Sequence, residues 1–280
     1  MKAGFIGAGK VGFTLGKYLA ENGVCVTGYY SRSSASAREA ANFTKTGYYE
    51  DLASITEDSD TLFITVPDGA IGDVWDDMRN LPIENKNICH CSGSISSAAF
   101  FDAPDRGAYR YSIHPLFAVN DRYRSYQGLA EAYFAIEGSP GHLEEIRGIF
   151  AAMGNPVTVI PSENKTLYHA AAVMVSNQIA ALIDIGAALL TDCGFTRQDA
   201  EKALTPLILG NVQTVCREGP EKALTGPVER NDTATVAGHL EVLPQPVREL
   251  YRELSLRLIE IAKRKHPEKN FDEMERKLEK

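Results

Sequence analysis

The chain has 280 residues, 44% hydrophobic and 24% charged, the proportions of a globular protein with room for two domains. Its formal net charge of −8 excludes a general basic surface of the kind that holds nucleic acid, while leaving space for one basic pocket around a small anion. Five scattered cysteines, an odd number, exclude a disulfide framework and point to a reducing compartment.

The N-terminal apolar stretch carries glycine at positions 4, 7, 9, 12 and 16 and does not read as a signal peptide. No run of apolar residues reaches the roughly 18 of a membrane span. A cytoplasmic protein is expected.

In chain order, residues 2–6 read as a short buried strand. Gly7-Ala8-Gly9-Lys10-Val11-Gly12 follows, opening a helix to about Ala20. Val24–Tyr30 is a second strand, and Ser34–Phe43 a helix rich in alanine and charge. Ser59–Val66 is a third strand, ending in Pro67-Asp68, and Ala70–Met78 a helical crossover. Asn87–Cys91 is a fourth strand, closed by Ser92-Gly93-Ser94. Within it Cys89 and Cys91 face one way and His90 the other, which suits buried small side chains better than a zinc site. Tyr109–His114 and Ala132–Glu137 read as strands, His142–Met153 as a helix and Pro156–Ile160 as a last strand. Between them, residues 120–124 form a charged loop that reads as solvated or as a lid.

Strands alternating with helices imply a doubly wound, mostly parallel Rossmann sheet. After Pro161 the pattern is helical only: Glu163–Leu190 as one long apolar helix, then 196–216, 232–242 and 246–265. A Rossmann-like domain over residues 1–160 is therefore expected, followed by an all-α domain over residues 161–280. The charged tail from Lys263 reads as a solvated helix or frayed end.

Ligands of such sheets gather beyond the carboxyl ends of the strands. Gly7, Gly9 and Gly12 fit a dinucleotide turn: one for the tight bend, one for close approach of a pyrophosphate, one for helix packing. Lys10 and Val11 open the helix whose N-terminus faces the phosphates. Val66, Pro67 and Ser92 stand at neighbouring strand ends, beside the expected nicotinamide. No Asp or Glu occurs from Gly23 to Arg38, where an NAD site would hold a ribose with an acid. Ser31, Arg32 and Ser33 offer a cation and hydroxyls instead, so the expected cofactor is NADP. The competing reading is a solvated arginine in a polar loop.

The stretches GFIGAGKVG, SDTLFITVPDGAI, HCSGSIS, SIHPLFAV and LTGPVERNDTATVAGHL together resemble a bacterial family that joins a Rossmann-like NADP-binding domain to a helical domain of unknown function. The first domain also resembles that of pyrroline-5-carboxylate reductase and of deazaflavin-dependent NADP oxidoreductases. The order of the helical part is similar to pyrroline-5-carboxylate reductase and the β-hydroxyacid dehydrogenases. The resemblance implies an NADPH-dependent oxidoreductase and a homodimer formed through the helical domain, and it implies no particular substrate.

Lys165, His169, Ala172 and Ser176 share one face of the long helical pattern, with Asn177 at its margin. β-Hydroxyacid dehydrogenases carry a lysine with an asparagine four residues on, and Lys165 and His169 resemble that pair with histidine in the second place. Either could transfer the proton; the alternative is a solvated lysine and a core histidine. The loop from Thr225 to Asp232 resembles the substrate-carboxylate loop of pyrroline-5-carboxylate reductase, with Glu229, Arg230 and Asn231 in place of its glycines. A structural loop knitted by Glu–Arg pairing is the alternative. Asp232 is expected to cap the next helix. His239 and the strand-end His114 complete the substrate candidates. The leading expectation is a reductase of a small C=O or C=N compound bearing a carboxylate. A non-catalytic NADP(H) sensor, or a module for another nucleotide, are the other readings.

Overall fold

The computed structural model describes residues 1–279. It divides into two compact units, Met1–Val175 and the residues from Ser176 onward.

The first unit is built on one eight-stranded sheet. Its strands are β1 (Lys2–Ile6), β2 (Cys25–Tyr30), β3 (Gly47–Tyr48), β4 (Thr61–Ile64), β5 (Asn87–His90), β6 (Tyr109–Leu116), β7 (Tyr133–Gly138) and β8 (Val157–Val159). They lie in the order β3-β2-β1-β4-β5-β6-β7-β8. Every pairing is parallel except β6 with β7. The helices are α1 (Lys10–Glu21), α2 (Ser34–Thr44), α3 (Leu52–Asp58), α4 (Ile71–Met78), α5 (Leu143–Ala152) and α6 (Lys165–Met174). Successive strand residues feed opposite faces. Phe5 and Phe63 pack on the side of α1, α2 and α5, whereas Ile6, Leu62 and Ile64 pack on the side of α3 and α4. The doubly wound, mostly parallel sheet read from the sequence is thus the fold. Cys89 joins the first of these layers with Cys91 packed against it, while His90 meets Phe100 in the second.

In this unit β3, only two residues long, and α3, whose N-cap Asp51 accepts the amide hydrogen of Ser54, were not anticipated. The charged loop at 120–124 is pinned rather than free. Arg122 pairs with Glu39 of α2 at 2.7 Å and lies over Phe13, and the Tyr123 hydroxyl bonds the same carboxylate.

The second unit is helical: α7 (Asn177–Asp192), α8 (Arg197–Glu218), α9 (Pro220–Ala223), α10 (Thr233–Val242), α11 (Gln245–Lys265) and α12 (Asp272–Leu278). Asp232 caps α10 as expected, accepting from the Thr235 amide at 3.0 Å. The charged tail is not a frayed end. Phe271, Met274 and Leu278 are buried against Val228, Val236 and Ile259 and complete this unit's core.

The single long helix expected over Glu163–Leu190 is two helices. α6 ends at Met174, and Ser176, at φ −124° and ψ −77°, outside the helical region, is the N-cap of α7. A boundary was expected near residue 160; the compact units divide fifteen residues later, because α6 is anchored to the sheet through Lys165.

Candidate active site at the carboxyl edge of the sheet

The turn after β1 fits a dinucleotide cradle. Gly7 has φ +110°, a left-handed conformation that disfavours any side chain. A Cβ there would meet the Thr65 backbone at 2.8 Å, and one on Gly12 would meet Gly7 O and Thr65 Oγ1 at 2.6 Å. Thr65 Oγ1 donates to Gly7 O at 2.8 Å and fixes the turn. Gly9 is the N-cap of α1, followed by Lys10 and Val11 in the first helical turn. No side chain caps that helix, so its first amides are available to an anion.

A cavity of about 250 Å³ opens beside this turn, lined by Gly7, Gly9, Ser31, Arg32, Val66 and Pro67 among others. Five of the residues expected at the cofactor thus share its wall with Arg32. The Arg32 guanidinium makes no hydrogen bond or ion pair with any described residue. Ser33 is the N-cap of α2, its hydroxyl accepting the Ser36 amide at 3.3 Å. Asp73 and Asp77 of α4 also line the cavity, a pair that sequence reading did not single out.

Further along the same edge lies a cluster of titratable groups. The Lys165 ammonium donates to Ser92 O and to Ser112 Oγ, both at 2.8 Å. The residue is only 2% exposed. Burial pushes its pKa down to about 8, against the pull of Glu137, Cys91 and Asp68. Glu137, buried in β7, accepts from Ser97 N, from Ser97 Oγ at 2.9 Å and from Ser162 Oγ at 2.6 Å, and so ties β7 to the approach of α6.

His169 and His114 converge on Gly93. A Cβ at Gly93 would lie 2.9 Å from both His114 Nε2 and His169 Cδ2, so only glycine admits the two imidazoles. His114 Nδ1 is 2.7 Å from the Tyr168 hydroxyl, the rings meeting edge to face. Burial first, then the charges of Lys165 and His169, hold His114 down at about 4. Burial raises Tyr168 to about 12. The neutral imidazole and the neutral phenol therefore face each other at ordinary pH.

The Ser92 hydroxyl is committed to its own loop. It donates to Asp68 at 2.8 Å and accepts the amides of Ser94 and Ile95 at 3.2 and 3.0 Å. Beneath it His90 accepts the Ser92 amide on Nδ1 and reaches Ser96 O through Nε2. Burial holds His90 neutral, with a pKa down at about 4.

The structure therefore gathers Lys165, His169, His114 and Ser92, and adds Tyr168, Asp68, Ser94, Ser112 and Glu137. Tyr168 stands three residues after Lys165, on the helix face already singled out, but a tyrosine in an apolar stripe reads as core. The expected stripe stops at Ala172, because the helix ends before Ser176. Ser176 Oγ instead donates to Asn177 Oδ1 at 3.0 Å at the start of α7.

Glu229, Asn231 and His239, candidates that lie in the second unit, form three local pairings. Glu229 is not paired with Arg230 as the knitted-loop alternative had it. His266 bonds it at 2.5 Å and Lys265 stands at 3.6 Å, and this hydrogen bond to His266 is the main reason its pKa is lowered. Asn231, in the left-handed region at φ +60°, donates its amide to Asn270 O at 2.8 Å. His239 is bonded to the Tyr251 hydroxyl at 2.8 Å. Arg230 makes no ion pair with a described residue.

Fold and site together define a Rossmann-like protein with a helical C-terminal part. Residues 1–115 match the family described as Rossmann-like domain, and residues 132–258 match Domain of unknown function (DUF2520). The chain thus carries a Rossmann-like domain followed by a DUF2520 domain. No curated protein matches it. Among solved structures, a protein from Thermotoga maritima is 28% identical, with a TM-score of 0.74 over 94% of this chain and 99% of the other. A Bacteroides fragilis protein, proposed to be an NADP oxidoreductase, is 25% identical, with a TM-score of 0.70 over 92% and 98%. The Plasmodium falciparum pyrroline carboxylate reductase, solved with NADP bound, is 14% identical, with a TM-score of 0.60 over 99% and 98%. This last likeness is one of fold.

Proposed function

We propose that the protein is an NADP(H)-dependent oxidoreductase that reduces a small C=O or C=N compound bearing a carboxylate. One observation carries this reading. A glycine cradle with an unpaired guanidinium beside it, and a cluster of acid–base side chains, occupy the same carboxyl edge of one parallel sheet within one compact unit. When bound, the reduced dinucleotide supplies the hydride. Gly7, Gly9 and the first amides of α1 would hold its pyrophosphate, and Arg32 its 2′-phosphate. The Bacteroides fragilis protein and the reductases of similar fold support this reading.

Thermal shift with NADPH and with NADH tests the cofactor. NADPH consumption with a panel of 2-oxo acids, cyclic imines and aldehydes tests the reaction. Stabilisation by NADPH over NADH together with turnover of a panel member is the expected result. One feature favours a second reading, a non-catalytic NADP(H) sensor: the Lys165 ammonium is almost fully covered and already bonded to the protein. Tight NADPH binding without turnover of any panel member would select the sensor.

We also infer that the chain forms a cytoplasmic homodimer through its helical unit. That unit exposes Leu207 at 60%, Leu209 at 54% and Val242 at 79%, apolar surface of the kind that marks an interaction site. Contrary to the sequence reading, which found no run of that length, the segment Ser162–Asp192 is long and apolar enough to cross a membrane by length and composition, with mean hydropathy 1.7. The break at 175–176 and the buried Lys165 near its start fit a partnered helix pair better than a span.

A further inference from the structure

We infer that the proton delivered to the reduced substrate comes from the Tyr168 hydroxyl, positioned by His114, rather than from Lys165 or His169. This rests on the reductase reading above. A proton donor must reach the substrate and be held in a fixed direction by a second group. Lys165 fails the first condition, being 2% exposed with its ammonium on Ser92 O and Ser112 Oγ. His169 fails the second, since neither of its ring nitrogens bonds a described residue. Tyr168 meets both. It is partly exposed, and its oxygen is held 2.7 Å from His114 Nδ1. Gly93, which leaves no side chain between them, keeps His114 and His169 together at the strand end.

The proton inventory follows from the histidine tautomer. His114 is neutral, so one ring nitrogen carries hydrogen. With hydrogen on Nδ1, the ring donates to the Tyr168 oxygen, and the phenol hydrogen is free for the substrate. The Oη–H bond breaks, its proton passes to the nitrogen or oxygen that gained the electron pair of the reduced double bond, and the phenolate is stabilised by Nδ1–H. Water then returns a proton to the phenolate. The reductant is the reduced dinucleotide. Lys165 adds a nearby positive charge, its ammonium 5.5 Å from the centre of the Tyr168 ring.

Two measurements on the full chain test this. The first follows NADPH consumption with a panel member that the native protein turns over. Tyr168→Phe is expected to lower kcat about 100-fold or more, with NADPH affinity unchanged by fluorescence titration. His114→Gln, which keeps an amide donor, is expected to retain more activity than His114→Ala. The second needs no turnover: nitrogen-15 NMR of histidine-labelled protein is expected to show His114 with hydrogen on Nδ1, and a shift of that equilibrium in Tyr168→Phe. Turnover by Tyr168→Phe within about threefold of native would overturn the assignment. So would a His114 found with hydrogen on Nε2, because the phenol hydrogen would then be committed to the ring. A His169→Gln variant losing more activity than Tyr168→Phe would move the donor to His169. NADPH binding without consumption of any panel member overturns the reductase reading itself, and the donor assignment falls with it.

Discussion

At the scale of single side chains, an unpaired guanidinium has a specific consequence. Arg32 lines a cavity and pairs with no described residue. Arg32→Glu is therefore expected to weaken NADPH binding on the order of tenfold or more while sparing NADH, as read by competitive titration. Histidine supplies a second residue-scale outcome. His90 and His114 have folded pKa values near 4, below the ordinary 6.5. A depressed value means that the unfolded chain takes up protons first as pH falls. Their contribution to stability is complete above about pH 6.5 and is lost between there and about pH 4. Denaturant midpoints measured across that window should fall, and less steeply in His90→Gln. Much of this layer was legible. The cradle glycines show in sequence because no other residue fits, and the missing acid after β2 shows because its position is fixed by the turn. Tyr168, Asp68 and Glu137 did not show, because each acquires its meaning from partners 24 to 54 residues away.

At the scale of elements, close approach and buried ends decide what can be changed. Gly12→Ala would push a methyl against Gly7 O and Thr65 Oγ1 at 2.6 Å, so the turn and α1 must separate. Loss of NADPH binding and a lower melting temperature are expected, measured by thermal shift with and without NADPH. In the second unit, cutting the chain after Asn270 would remove Phe271, Met274 and Leu278, each almost fully buried. Such side chains contribute roughly 1.5–3 kcal/mol apiece, a large share of the about 5–15 kcal/mol that holds a domain folded. The truncated protein should lose cooperative unfolding of its helical unit, seen by circular dichroism and limited proteolysis. Period and capping revealed most of these elements, the Asp232 cap among them. Charge density hid α12, whose buried Phe271, Met274 and Leu278 sit among acids and bases. The α6–α7 break was hidden because neither glycine nor proline marks Val175-Ser176.

At the scale of the whole molecule, the acidic chain presents apolar helices that its own fold leaves uncovered. Light scattering coupled to gel filtration should give the mass of two chains, about 61 kDa from a 30.6 kDa protomer. Leu209→Glu should lower it to one. A native mass of one chain, about 31 kDa, would remove the dimer. The α/β class and its helical sequel were readable because alternation of strands and helices is a property of the whole pattern. The division after Val175 was not, because it depends on one buried lysine that fastens α6 to the sheet.

The reversal of β7 and β8 relative to the other strands has a geometric outcome. It returns the chain so that α6 climbs beside β6 in the same sense, Lys165 meeting Ser112 and Tyr168 meeting His114. Two strand steps of about 3.3 Å and three helix steps of about 1.5 Å are thereby aligned like the two scales of a vernier. One alanine inserted after Leu167 would swing the phenol about 100° around the helix axis. The lysine would stay seated and the tyrosine would point elsewhere, uncoupling anchor from ring with a single residue.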